Sequence, residues 1–380
     1  MSTPLFVCGM LRSGTSLIQT LLTNHPNMLV AYQPFHQLYV DVKQRFFDEH
    51  GIDAPLPLDD GAPGNRAQRE LFLSWLASRR FDAAEAGELA SRATAGKGGG
   101  LSDRGSLSAP AGTFIEIRQS LHGAMAQGLG RGQVGVVGSK EILCEEYVPA
   151  LLAAGVRCVL ILRDPRAVIA SANNGRYRDM VGDRYPLMML IRLWRKTAAY
   201  WLHYRHHPLV RAIRYEDLIA DPDSTLQDLA DWLGLEPFPP DLIAGSLKDH
   251  AGRPWRGNSS FGDKTTIDAS THDKWRELLA ADELRFIGAC LRQELEATGY
   301  PLPAGLGEQD ILAFEENIRG VRPAHLARHA IDNTTRRDAI ERLALSPASN
   351  NDLACLGRHF LFPEGFARPP NLAPGSTLDA

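Results

Sequence analysis

Cysteine is scarce in this chain of 380 residues: Cys8, Cys144, Cys158, Cys290 and Cys355 lie far apart, with no CxxC pair. That excludes a disulfide framework and a cysteine-based zinc site, and no metal is expected. Three of the thiols fall in apolar runs, where a buried free cysteine is the expected state. Free thiols suit a reducing cytoplasm. A surplus of basic charge is missing too. Lys and Arg number 41 against 45 Asp and Glu, a net charge of −4. A general nucleic-acid binder shows the opposite balance, so no such partner is expected and any phosphate site must be local. No apolar stretch reaches the roughly 18 residues that a membrane span needs. Met1-Ser-Thr-Pro4 lacks the positive start of a secretory leader, so none is expected. Internal repeats are absent. What remains is an ordinary globular composition, 44% hydrophobic and 23% charged, enough for one large α/β domain with appendages. Whether copies of the chain associate is left open.

Short apolar runs alternate with helical patterns. Leu5 to Gly9, Met28 to Ala31, Val134 to Gly138, Val156 to Leu162 and Leu209 to Ile213 read as strands. Helices are expected over Gln37–Glu49, Glu145–Ala154, from Pro165, over Leu187–His206, Glu216–Leu233 and Asp273–Thr298. Strands separated by helices imply right-handed crossovers and a mostly parallel sheet flanked by helices. Residues 53–112 differ in character, with Pro55, Pro57 and Pro63, a charged helical stretch (Arg66–Arg80) and the run Gly96-Lys-Gly-Gly-Gly100. They read as an insertion or lid. Residues 301–380 read as a C-terminal helical extension and tail, with helices around Glu308–Gly320 and Ala324–Leu345.

Gly9-Met-Leu-Arg-Ser-Gly14-Thr15-Ser16 stands between a strand and a helix and fits G-x-x-x-x-G-x-[ST]. Glycines let backbone N–H groups converge, and a helix N-terminus adds a favourable dipole, which together make a phosphate cradle. A nucleotide triphosphatase places lysine directly after the second glycine. Here that residue is Thr15, so the loop suits a single phosphate, with Arg12 as the local cation.

A second informative stretch is Leu160-Ile-Leu-Arg163-Asp-Pro-Arg-Ala-Val-Ile-Ala-Ser171. Arg163 ends the most apolar strand, at the edge where open α/β sheets bind ligands. Ser171 follows eight residues on. The pair either holds a second phosphate or is structural, with Arg163 as a cap partner of Asp164.

Two phosphate sites on one sheet without the triphosphate lysine describe a 3′,5′-bisphosphorylated nucleotide. Here the sequence resembles the sulfotransferases that use 3′-phosphoadenosine 5′-phosphosulfate (PAPS), in particular the bacterial and tyrosylprotein-type branch. Their 5′-phosphosulfate loop is matched by Arg12-Ser-Gly-Thr-Ser-Leu17, and their 3′-phosphate element by Arg163 and Ser171. Further matches are Arg214-Tyr-Glu-Asp-Leu218, and Asn258-Ser-Ser-Phe-Gly262 with Lys274-Trp-Arg276. The matches keep family order from about Pro4 to Tyr300. The 53–112 insertion and the last eighty or so residues lie outside them.

The resemblance implies a three-layer fold of the P-loop type, with a transferase domain over 1–300 that carries the 53–112 insertion. It implies sulfuryl transfer from PAPS to a hydroxyl of a small-molecule or glycosyl acceptor, with PAP (3′-phosphoadenosine 5′-phosphate) as product. Arg12, Ser13, Gly14, Thr15, Ser16, Arg163, Ser171, Tyr215, Ser259 and Ser260 would bind the donor. Arg12 and Lys140 would assist the transferring group. The sequence departs from the pattern at the general base: Gln33 stands where the tyrosylprotein branch has glutamate, and an amide cannot take up a proton at neutral pH. His36, three residues on, is the expected substitute, with Glu116 and Glu141 as reserves. Two other readings remain: a kinase-like phosphotransferase, and a non-catalytic nucleotide-binding protein of the same fold.

Overall fold

The computed structural model describes residues 2–53, 58, 66–93, 107–175, 184–240, 242, 247–257, 261, 267, 272–316, 329–346 and 352–366. Five strands, β1 (Thr3–Gly9), β2 (Met28–Tyr32), β3 (Val136–Lys140), β4 (Arg157–Leu162) and β5 (Val210–Arg214), form one sheet in the order β2-β3-β1-β4-β5. Every neighbouring pair is parallel, with Val7 opposite Lys140 and Gly9 opposite Ile161.

Helices α1 (Thr15–Thr23), α2 (His36–His50), α3 (Arg66–Ser78), α4 (Ala83–Ala93), α5 (Phe114–Gly128), α6 (Val148–Ala153), α7 (Pro165–Asn173) and α8 (Leu187–Tyr204) alternate with the first four strands. After β5 come α9 (Tyr215–Ala220), α10 (Pro222–Leu233), α11 (Trp275–Leu278), α12 (Ala281–Cys290), α13 (Arg292–Thr298), α14 (Glu308–Leu312), α15 (Asn333–Ala344) and α16 (Leu353–Leu356). Side chains alternate across the strands, as the pleat requires. Leu5 and Val7 face α1, α9 and α10 in one apolar layer. Phe6 and Cys8 face α2, α5, α6 and α8 in the other. With both faces covered, the strands read as continuous apolar runs.

The connections fix where a ligand can sit. The crossover from β1 passes over β3 to reach β2, whereas the crossover from β4 runs the other way to β5. The chain therefore diverges above the carboxyl ends of β1 and β4, the crevice where open α/β sheets hold ligands.

Some expected elements differ. The single helix expected over Glu216–Leu233 is two, α9 and α10, broken at Asp221-Pro222. Pro222 cannot donate to the preceding turn, and Asp221 instead caps α10 by accepting from the Ser224 amide. Asp273–Thr298 is three helices: Ala280, extended with its amide held by the Glu283 carboxylate, separates α11 from α12, and Leu291 leaves helical geometry between α12 and α13. The third strand begins two residues later than expected. Asn27 holds the Gly135 amide outside the ladder, and Lys140 falls inside the strand. The helix around Glu308–Gly320 stops at Leu312, that of Ala324–Leu345 includes α15 over Asn333–Ala344, and 317–328 lie outside the described residues.

The described parts of 53–112 belong to the main core. Phe72 packs against Phe46 and Tyr147, with ring centroids 5.1 and 5.2 Å apart. The glycine run at 96–100 lies outside the described residues. The C-terminal helices share the same core. Phe314 stacks on Phe286 at 4.4 Å, and a buried ion pair joins Arg342 on α15 to Glu294 on α13.

Candidate functional site

The β1–α1 loop is tightly constrained. Gly9 has no room for a side chain, since a Cβ there would lie 2.5 Å from the Ile161 carbonyl oxygen on β4. The Ser13 hydroxyl donates to the Met10 carbonyl at 2.6 Å, bracing the turn from inside. Gly14 precedes α1 at φ 89°, and a Cβ there would fall 2.2 Å from the Tyr215 ring. Leu17 and Ile18 donate to the Gly14 carbonyl, so α1 starts directly after the loop. The first amides of a helix have no partner within it and point outward from its positive end. Thr15 and Ser16 supply hydroxyls at this end, both largely buried. Arg12 adopts φ 64°, a left-handed conformation rare outside glycine and costing about 1–2 kcal/mol. Surrounding contacts hold it there.

Those contacts come from the second stretch. Arg12 Nε donates to Ser171 Oγ at 3.1 Å, joining the loop to α7. Arg163 Nη1 donates to the Arg12 carbonyl at 3.0 Å. The Arg163 guanidinium lies 4.3 Å from the centre of the Tyr215 ring, which also closes over Gly14. Arg163 is therefore no cap partner of Asp164. Asp164 caps α7 and pairs with Arg166 through bonds of 2.9 and 2.6 Å. Among the described residues, Arg163 Nε is buried with no hydrogen-bond partner. A buried donor left unpaired is costly, and an incoming anion would satisfy it. Arg12, Gly14, Arg163, Ser171 and Tyr215 thus meet above β1 and β4. Ser259 and Ser260 lie outside the described residues.

Supports that the sequence reading did not find hold this group from behind. Trp194 on α8 donates to the Arg163 carbonyl at 2.8 Å. Glu216 accepts the Asp164 amide at 3.0 Å and the Tyr300 hydroxyl at 2.8 Å, tying the ends of β4 and β5 to the end of α13. Burial and the Glu216 charge push the Tyr300 phenol well above its ordinary value, so it stays a donor. Burial also raises the Tyr185 phenol, an effect partly opposed by the Arg12 charge beside it. Glu216 stood within a recognised motif. Trp194, Tyr185 and Tyr300 carried no local signal.

A second group gathers beyond β1, at the ends of β2 and β3. Lys140 is almost fully buried, so it is not a surface lysine paired with Glu141. Its Nζ donates to Gln33 Oε1 at 3.3 Å and lies 3.9 Å from the Tyr32 ring centre. Gln33 takes φ 42°, and its amide donates to the Lys140 carbonyl at 2.9 Å. Glu141 donates its own amide to Val7 at 3.0 Å, which seats its buried carboxylate beside β1. His36 opens α2, with Nδ1 3.6 Å from Glu141 Oε2 and a third of its side chain exposed. Glu116 lies apart. It completes a capping box with Thr113 at the start of α5, and bonds from Thr113 hold its carboxyl below the usual range. A carboxylate committed to a helix cap is not available as a base.

Among the described residues, no group of three or more His, Cys, Asp or Glu side chains could hold a metal, and no helix is long and apolar enough to cross a membrane. His203 is paired with Glu364 at 3.2 Å and stacked on Phe362.

Comparison with known proteins gives three kinds of result. The model of the family described as "Sulfotransferase family" matches residues 4–240. No curated protein matches. Among solved structures, similarity is found to the sulfotransferase domain from the curacin biosynthetic pathway, at 18% identity over 80% of this chain and 99% of that one, with a TM-score of 0.45. The sulfotransferase domain of the Synechococcus PCC 7002 olefin synthase also matches at 18% identity, over 80% and 96% of the two chains, with a TM-score of 0.43. Retinol dehydratase in complex with androsterone and inactive cofactor PAP matches at 15%, over 79% and 82%, with a TM-score of 0.40.

Proposed function

The chain belongs to the sulfotransferase family, and from that premise we propose that it moves a sulfuryl group from PAPS to a hydroxyl of a small-molecule or carbohydrate acceptor. The observation that carries this reading is the joining of Arg12, Ser171, Arg163 and Tyr215 over one crevice. Two guanidinium groups and a helix N-terminus there match the two phosphates of PAP. Among the described residues, neither a lysine after Gly14 nor a carboxylate cluster adapts the loop to a triphosphate with its metal. The unpaired Arg163 Nε suits the 3′-phosphate.

PAPS supplies an activated sulfuryl group with a stabilised phosphate as leaving group. The chain's residues then have distinct tasks. Amides and hydroxyls of Gly14 to Ser16 hold the 5′-phosphate. Arg12 neutralises charge that grows on the bridging oxygen as the sulfur–oxygen bond breaks. Lys140, oriented by Gln33, faces the transferring group. His36 accepts the acceptor's proton as the new sulfur–oxygen bond forms. Within the insertion, α4 flanks the acceptor side, since it packs on α2, whose first residue is His36. Free thiols favour a cytoplasmic location.

Thermal melting tests the donor. PAP raises Tm without magnesium, and ATP does not. Stabilisation by magnesium-ATP alone would point to a phosphotransferase. The Gln33–Lys140 bond favours one rival, a nucleotide-binding protein without turnover. Gln33→Glu separates the two, because it restores a carboxylate in the expected position. In the enzyme, that change rescues the activity lost in His36→Ala.

A further inference from the structure

His36 stands at the first position of α2, the positive end of a helix. A base working there needs a fixed anion to balance the proton it takes up. Glu141 is fully buried, with Oε1 accepting the Phe35 amide at 3.4 Å and Oε2 facing His36 Nδ1 at 3.6 Å. Among the described residues, neither His36 Nδ1 nor Glu141 Oε2 has a hydrogen-bond partner. Among the described residues, neither forms another ion pair. A separation of this length can close to a hydrogen bond when a reaction complex forms.

We propose that Glu141 is a positioning residue for His36, the two forming a histidine–carboxylate dyad where the tyrosylprotein-type branch has a single glutamate. Glu141 accepts the Nδ1 proton and so fixes the tautomer in which Nε2 carries the lone pair. During transfer, the acceptor O–H proton passes to Nε2 while the oxygen bonds to sulfur. The bridging sulfur–oxygen bond breaks, and its electron pair leaves on the 5′-phosphate of PAP. Glu141 keeps its charge throughout and balances the imidazolium. The inference rests on His36 being the base. A merely structural Glu141 would do no more than anchor the start of α2 through Phe35.

The tautomer of His36 decides between them. In the full-length ¹⁵N-labelled protein with PAP, long-range ¹H–¹⁵N correlation should show neutral His36 protonated on Nδ1. Glu141→Gln should shift it toward Nε2–H, and Glu141→Asp should retain Nδ1–H. With PAPS and 2-naphthol as probe acceptor, Glu141→Gln should lower kcat about 10–100-fold with KM for PAPS unchanged. In a His36→Gln background the same change should cost less than about twofold, since removing one member of a unit disables it. An Nε2–H tautomer in the wild type overturns the dyad, even if Glu141→Gln does not fold. So does a tautomer indifferent to Glu141→Gln, or additive losses in the double variant. If PAP fails to raise Tm, the donor assignment falls instead, and the tautomer still decides the dyad. If 2-naphthol is not turned over, the tautomer also decides.

Discussion

Replacing Arg163 by alanine separates the two proposed phosphate sites by energy. In the structure the guanidinium does two things. It braces the loop through the Arg12 carbonyl at 3.0 Å, and it presents an unpaired Nε beside the Tyr215 ring. Losing the brace removes one hydrogen bond, about 1 kcal/mol, and weakens every ligand of the loop about fivefold. Losing contact with a 3′-phosphate removes charge-assisted bonds worth about 3 kcal/mol together, close to 150-fold. PAP should therefore bind Arg163→Ala about 800-fold more weakly, whereas adenosine 5′-phosphate, which lacks the 3′-phosphate, should lose only about fivefold. Calorimetric titration of both ligands into both proteins at one salt concentration measures the two losses. The wild-type preference for PAP should collapse. Equal losses for the two nucleotides would show that Arg163 only shapes the loop, and the bisphosphate reasoning would fail.

Gly14→Ala must place a Cβ where the Tyr215 ring stands, at a φ of 89°. It should lower stability in urea by about 3 kcal/mol, from left-handed strain and overpacking together, and Tyr215→Ala in that background should recover part of the loss. Arg342→Ala leaves Glu294 buried without its partner and should cost about 3–5 kcal/mol in the same assay. Arg342→Met with Glu294→Leu should cost much less. High pH tests the Tyr300–Glu216 bond. The folded phenol holds its proton above the ordinary value near 10, so above that pH the unfolded chain releases a proton that the native chain keeps, and stability falls as pH rises. Between pH 8 and 11, Tyr300→Phe should lose less stability than the wild type.

The sequence carried the sheet and the proposed donor loop because both are local patterns. Leu5 to Gly9 is apolar throughout, and the Arg12–Ser16 loop needs its glycine and small hydroxyls within a few residues. Arg163 was legible as a residue at a strand end. Its bond to the Arg12 carbonyl, 151 positions away in the chain, was not. Long-range supports such as Trp194 and Tyr300 are invisible for the same reason: a tryptophan on an amphipathic helix has one pattern whether its N–H meets solvent or the Arg163 carbonyl. Glu116 misled because glutamate at the third helical position reads as a free carboxylate until Thr113 is seen to hold it. Gln33 was noticed as a departure, and only geometry disclosed that it orients Lys140.

The family match ends at residue 240, yet Phe286 on α12 finds its stacking partner in Phe314, and Glu294 finds its counter-ion in Arg342. Anyone trimming the gene to a minimal transferase at residue 300 would strip a lid from an oily surface and strand a carboxylate within it. Such a product should precipitate and bind hydrophobic dyes. The shortest soluble catalyst should keep the chain through Phe366, whose ring packs on Phe360.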